Sequence, residues 1–339
     1  MIETLGLYKI LDRSGASAMG DVYRARDTRL GRTVAITVVS QDIAGHPDRR
    51  ERFASEARVA ATLSHPNIAA LYEVGDDQGQ LFLVCEFVPG ETLRTVISGR
   101  PMNPRRAIDL AVQIGDALAD AHAVGIVHRD IRPDSIIVTP KGNAKILHCG
   151  LATWTGSDAV REQAAGVARA ATTAQSSVAS MLGTVAYMSP EQALGEQVDH
   201  RTDIFSLGTV LFEMLTGTLP FPGTTSLALP LQIVQATAPA PSSVRSSLPR
   251  ELDPIVGRAL AKSLEQRYEA AATFAAELRS VAAILDVRNE ASEPASTLVA
   301  LQRPRRSRVG WIVAALVLAA LGAAAWVERG ALHAWFNAL

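Results

Sequence analysis

The chain is short of lysine and of cysteine. Only four of its 339 residues are lysines, at Lys9, Lys141, Lys145 and Lys262. Any site that needs an ammonium group therefore has few sources for one. The two cysteines, Cys85 and Cys149, show neither metal-ligand spacing nor a disulfide framework. That excludes a disulfide-stapled secreted scaffold and suits a reducing compartment. A net charge of −1 gives no global attraction toward nucleic acid, and no nucleic-acid partner is expected. The start, Met1-Ile2-Glu3-Thr4, lacks the basic-then-apolar pattern of a signal peptide. There are no internal repeats. With 48% apolar residues the chain supports a sizeable core, and wholesale disorder is excluded. Its length suits two domains or one large bilobal one.

One long uncharged run stands apart, from Val309 to Val327. It is near the length that crosses a bilayer as a helix, about 20 residues. Arg303, Arg305, Arg306 and Arg308 precede it, and Trp311 and Trp326 lie near its ends. Basic flanks stay cytoplasmic and interfacial tryptophans mark bilayer edges. The expectation is a single membrane-spanning helix over 309–327, a juxtamembrane linker over 285–308 and a short extracytoplasmic tail over 328–339. That tail is too short for an external sensor domain. The alternative is a buried Ala-rich core helix.

The densest motif is His128-Arg129-Asp130-Ile131-Arg132-Pro133-Asp134-Ser135, followed after a short hairpin by His148-Cys149-Gly150. Upstream lies Ser14-Gly15-Ala16-Ser17-Ala18-Met19-Gly20-Asp21-Val22, a loop whose glycines could equally be hairpin glycines. The β-branched run Arg32 to Val39, R-T-V-A-I-T-V-V, predicts a strand. Phe53, Ala57, Ala60, Ala61 and Leu63 give an apolar helical stripe over Asp48–Leu63, ended by Pro66. Strands are expected near Ala69–Val74 and Leu81–Glu86, and an amphipathic helix over Pro104–Val124. Ile136–Val138 and Ala144–Leu147 read as two short strands joined by a turn. Downstream come Gly183-Thr184-Val185-Ala186-Tyr187-Met188-Ser189-Pro190-Glu191 and the apolar helix opened by Asp203-Ile204-Phe205-Ser206-Leu207-Gly208.

This ordered set resembles the serine/threonine protein kinases of the eukaryotic-like type found in bacteria. The likeness runs over roughly residues 8–280. The implied fold class is α+β and bilobal, with a small β-rich N-terminal lobe over 1–90 and a larger helical C-terminal lobe over 91–284. In that family H-R-D-x-x-x-x-N is the catalytic loop and D-F-G binds metal. Gly15, Ser17, Gly20 and Val22 match the loop that folds over nucleotide phosphates. Val22, Ala35 and Ile137 match the residues that sandwich adenine, though in either case they would be ordinary core residues. Cys85 matches the gatekeeper, and Glu86-Phe87-Val88 the hinge. Asp130 is in the position of the catalytic base, with Arg132 in place of a lysine beside it. Thr184 matches the residue that touches that base. Arg267 matches the arginine that pairs with Glu191.

Several matches fall on the wrong residue type. The strand lysine is Thr37, which carries no charge and leaves Glu56, at the helix glutamate position, without its family partner. The alternative for Glu56 is a solvated helix charge. The metal-binding Asn is Ser135 and the metal-binding Asp is His148. Magnesium demands hard oxygen ligands, whereas imidazole suits zinc, copper or nickel. No magnesium binding is therefore expected, and ATP binding only weakly. Cys149 is much smaller than the family's Phe, so the helix bearing Glu56 is expected to be displaced or mobile. Arg24, Arg26 and Lys9 are the only cations nearby that might replace the missing lysine. The alternative for Asp130 is a structural hydrogen-bonding residue. The long segment to Glu191 carries Thr172, Thr173, Ser176 and Ser177, which are either phosphoacceptors for Arg129 or part of a floppy insert.

The implied function is that of a membrane-anchored pseudokinase, a scaffold or switch for a protein partner such as an active kinase. The rivals are a serine/threonine kinase with residual or atypical activity, and an ATP-binding sensor without catalysis.

Overall fold

Thr33–Val39 carries the N-terminal lobe, because its alternating side chains face two different cores. In the computed structural model, residues 3–17, 19–149, 151, 183, 185–223, 228–292, 313–322 and 326 are described. The lobe is a six-stranded antiparallel sheet. Its strands are β1 (Thr4–Leu5), β2 (Tyr8–Ser17), β3 (Gly20–Asp27), β4 (Thr33–Val39), β5 (Leu71–Asp77) and β6 (Gln80–Glu86). Their order is β1-β2-β3-β4-β6-β5. Val34, Ile36 and Val38 of β4 pack on one face with Tyr8, Phe82 and Val84. Ala35 and Val39 point the other way, toward Phe53 and Ala57. Thr37 shares their side of the strand by the same alternation and is buried.

After the short helix α1 (Gln41–Ala44) comes α2 (Pro47–Ala60). Proline at its first turn and Asp48 beside it suit a helix start. Phe53, Ala57 and Ala60 form one buried stripe. They share a cluster with Met19, Leu81, Leu83, Cys85 and Leu151. This helix is docked on the sheet. Leu151 is part of the same cluster, whereas Cys149, two residues before it, packs in the C-terminal core.

The C-terminal lobe is built on α4 (Pro104–Ala123) and the helix Arg201–Thr216. The side chain of Asn103 accepts the Arg105 and Arg106 N–H groups and so caps α4. All but the first residue of Arg201–Thr216 is buried. Gly208 lets that helix close on its neighbour, since a Cβ there would sit 2.9 Å from that of Ala259. Between them, β7 (Glu91–Thr92), α3 (Leu93–Ile97) and the hairpin β8 (Ile136–Val138) and β9 (Ala144–Ile146) line the seam of the two lobes. Strands β7, β8 and β9 form a three-stranded antiparallel sheet.

Residues 1–286 form one compact unit and 287–339 another. The helix Ala271–Ser292 runs past residue 284, into the stretch expected as linker. Of the expected membrane helix, 313–322 are helical, and the rest of 309–327 apart from Trp326 lies outside the described residues. Among the described residues no helix is long and apolar enough to cross a membrane.

Arg267 donates to both carboxylate oxygens of Glu191, at 2.7 and 3.1 Å. The two side chains are 0% and 5% exposed. Arg267→Ala strands a buried carboxylate and is expected to cost about 3–5 kcal/mol. Urea unfolding checks this as a lower midpoint at unchanged slope. A loss below about 1 kcal/mol would mean that the pair behaves like an exposed one.

Candidate active-site cleft

The loop at the cleft floor is suspended from one buried carboxylate. Asp203 is fully buried and accepts the backbone N–H groups of His128 at 2.8 Å and Arg129 at 2.7 Å. It also contacts His122 Nε2 at 2.8 Å. Gln192 donates to the Arg129 carbonyl at 2.8 Å. These bonds hold Arg129 at φ 66°, a left-handed conformation that costs a non-glycine residue about 1–3 kcal/mol. His128 accepts the Asp130 N–H on Nδ1, so its Nε2–H is the donor to the Leu147 carbonyl, at 2.9 Å.

Around this loop lies a cavity of about 330 Å³. Gly15, Ser17 and Val22 line it from above, and Asp130, Arg132, Ser135, Ile137 and His148 from below. The structure thus gathers eight of the expected site residues around one space. Ala35 is half-buried on β4, opposite Cys85 in the sheet. Glu86 and Val88 are half-buried at the lobe junction. Thr184 lies outside the described residues, as do Gly150 and the four candidate phosphoacceptors, Thr172, Thr173, Ser176 and Ser177.

Gly20 is required by packing, because a Cβ there would lie 1.9 Å from the Val38 carbonyl oxygen. Gly15 meets nothing within 4 Å and stands open to the cavity. The hairpin ladder continues to its last register pair, Ser17 with Gly20. The Ser17 hydroxyl donates to the Gly20 carbonyl at 3.2 Å.

The polar groups at the metal positions are already engaged or uncharged. Ser135 Oγ accepts the Arg132 N–H at 3.1 Å and has the carbonyls of Asp130 and Arg132 as acceptors, each 2.9 Å away. It staples the loop. His148 sits at φ 57°. Burial pushes its pKa down to about 4, with the nearby His128 adding to the effect, so it is neutral at physiological pH. Asp134 pairs with Arg94 at 3.3 Å and with Arg132 at 3.7 Å. Burial raises the Asp130 carboxyl, while Arg132, 3.2 Å away, pulls it back down. Among the described residues no three His, Cys, Asp or Glu side chains form a metal-binding group. One neutral imidazole and one saturated hydroxyl do not fit magnesium.

Glu56 is held within its own helix by Arg52, 3.1 Å away, and its second oxygen is buried without a hydrogen-bond partner. Of the substitute cations, Arg24 is exposed and paired with Asp12, and Arg26 and Lys9 are exposed on the sheet. The cation that does reach the seam is Lys145 of β9, which bonds Glu86 at 2.6 Å. Lys145 lies outside the N-terminal lobe, and no motif in the sequence points to it. Its place on a strand between buried Ala144 and Ile146 was the available signal.

The protein kinase domain family matches residues 8–278. The chain belongs to that family. PrkC of Bacillus subtilis, a serine/threonine-protein kinase, is 37% identical over 276 residues, which is 81% of this chain and 40% of that protein. Serine/threonine-protein kinase PknB of Mycobacterium tuberculosis is 38% identical over 276 residues, 80% of this chain and 42% of its own length. A probable serine/threonine-protein kinase of Streptomyces coelicolor is 38% identical over 271 residues, 78% of this chain and 38% of that one. The chain thus spans about two-fifths of the length of these relatives. The crystal structure of the Mycobacterium tuberculosis PknI kinase domain aligns with a TM-score of 0.63 at 23% identity, covering 83% of this chain and 99% of that one. At that identity the likeness is one of fold.

The neutral His148 carries a pH signature. Its folded pKa, about 4, lies below the ordinary 6.5, so the unfolded chain takes up the proton first. Its contribution to stability is complete above pH 6.5, falls as the pH drops toward 4, and is constant below. His148→Gln removes this dependence. The stability difference between the natural chain and the variant is expected to shrink across that window in pH-dependent urea unfolding. A difference that stays flat from neutral pH to pH 4 would contradict it.

Proposed function

We propose that this protein is a membrane-anchored pseudokinase. Its kinase-like domain works as a scaffold or switch that engages a protein partner, and an active kinase is one suitable partner. The observation that carries this reading is the donor set of the cleft. Phosphoryl transfer depends on positioning and on neutralising a polyanion. Thr37 offers no charge, Ser135 is consumed by its own loop, and His148 is neutral. Each lost electrostatic group typically costs about 10²–10³ in rate, and such losses on one transition state do not simply multiply. ATP held weakly is the only cofactor this reading allows.

The rival is a working serine/threonine kinase. It is favoured by the names of the relatives and by Asp130 and Arg132, which are present in the cleft. Phosphotransfer by the natural chain, measured with magnesium and with manganese, separates the two. It is expected at background, and to rise by at least about tenfold in the triple variant Thr37→Lys, Ser135→Asn, His148→Asp. Turnover already present in the natural chain would defeat the pseudokinase reading.

The anchor rests on the uncharged run over 309–327 with its arginine flank, and on the exposed apolar side chains of 313–322, including Leu316, Leu318 and Leu321. Removal of residues 309–339 is expected to release the protein from carbonate-washed membranes. Release of the full chain by the same wash would overturn it.

A further inference from the structure

The turn between α3 and α4 carries positive charge that the fold leaves unneutralised. A groove of about 580 Å³ opens there, with Val96, Ser98, Arg100, Pro101, Asn103 and Arg106 in its lining. No carboxylate lines it. Arg100 and Arg106 are both exposed, and among the described residues neither guanidinium has an ion-pair partner. A third guanidinium, that of Arg245, is held against the same turn by the carbonyls of Met102 and Leu215, at 2.8 and 3.0 Å. The carboxylates of Asp109 and Asp286, on the adjoining helices, are both engaged by Arg105. Like charges gathered in this way repel one another and favour an anion beside them.

The turn is also rigid. Met102 is buried, and its N–H is bonded to the Met214 carbonyl at 2.7 Å. The first N–H groups of α4 are taken by the Asn103 side chain, so the attraction for an anion comes from the arginines.

The place of the groove on the domain decides which anion it suits. The helix Ala271–Ser292 runs antiparallel to α4. Ala275 lies against Gly115, Arg279 bonds Asp116, and Asp286 bonds Arg105 at 2.8 Å. The compact unit therefore ends, at residue 286, beside the first turn of α4 and next to Arg106. From there the sequence continues to Arg303, Arg305, Arg306 and Arg308 and the uncharged run over 309–327. A tether to a surface turns a weak contact with that surface into an intramolecular one, so a few arginines suffice. A freely diffusing anion gains nothing from the tether.

We infer that the α3–α4 groove docks on anionic phospholipid headgroups of the membrane that holds the chain, with Arg100 and Arg106 against the phosphates. This inference rests on the membrane-anchored reading and adds to it the lipid class and the face of the domain that meets it.

Ser98 is exposed in the groove, and Cys85 and Cys149 are buried, so a thiol-reactive dye on Ser98→Cys reports from this site. The labelled full chain is reconstituted in vesicles of phosphatidylcholine, with or without phosphatidylglycerol, that carry a headgroup spin label as quencher. Quenching is expected to be at least about twofold stronger in the anionic vesicles, and high salt is expected to remove the difference. The double variant Arg100→Glu, Arg106→Glu is expected to abolish the difference. Arg58→Glu, at an exposed site on α2, is expected to keep it. The lipid and salt comparisons use the natural arginines and can overturn the inference by themselves. Equal quenching in both vesicles by a chain that resists a carbonate wash overturns the docking surface and leaves the anchor standing. Loss of the difference on adding inorganic phosphate at matched ionic strength assigns the groove to a soluble anion and also overturns it, as does equal loss in Arg58→Glu. Release of the chain by carbonate overturns both readings.

Discussion

A carboxylate taken out of water survives only if donors replace its hydration. Asp203 meets that condition with two backbone N–H groups and an imidazole. The cleft floor depends on this arrangement. It imposes the left-handed turn at Arg129 and with it the path of the chain from His128 to Ser135. The helix that carries Asp203 is buried along nearly its whole length, so the anchor itself cannot shift. None of this requires a nucleotide. The frame is held by burial and by the bonds to Asp203, and it remains whether or not phosphates can be held above it.

The Arg267–Glu191 pair belongs to the same frame, whereas the changes at Thr37, Ser135 and His148 fall on groups that would face a ligand. Each replacement suits its new surroundings. Thr37 is a buried β-branched residue on a central strand, Ser135 closes a turn, and His148 is neutral where burial disfavours charge. The local structure is therefore free of the strain that an unpaired lysine or aspartate would bring. Among the described residues four buried side-chain polar atoms lack a hydrogen-bond partner, and one of them is the second oxygen of Glu56.

Much of this was legible in the sequence. The β-branched run marked Thr33–Val39, apolar periodicity marked α2 and α4, and the spacing of the motifs placed the cleft. What escaped was long-range or depended on volume. Lys145 and Glu86 are 59 residues apart, and no local pattern pairs them. The small Cys149 suggested a displaced or mobile helix α2; Leu151 shares a cluster with that helix, and Glu56 pairs with Arg52 of its own helix. Met19 reads as a loop residue, and its burial follows from the hairpin folding back on β4. The helix Ala271–Ser292 outran its expected end because nothing in the sequence near 284 breaks a helix.

The Lys145–Glu86 bond reaches from β9 in one lobe to the end of β6 in the other. The same seam is sewn by Asn67, which reaches the Ala144 carbonyl at 2.7 Å, and by the Ala69 N–H bonded to the Ile146 carbonyl. Rotating one lobe away from the other would exchange these bonds for bonds to water, at a net cost of about 0.5–1.5 kcal/mol for each. These bonds tie the end of β6 and the segment 67–69 to β9. Each such bond across the seam lowers the entropy cost of ordering the surface on either side of it.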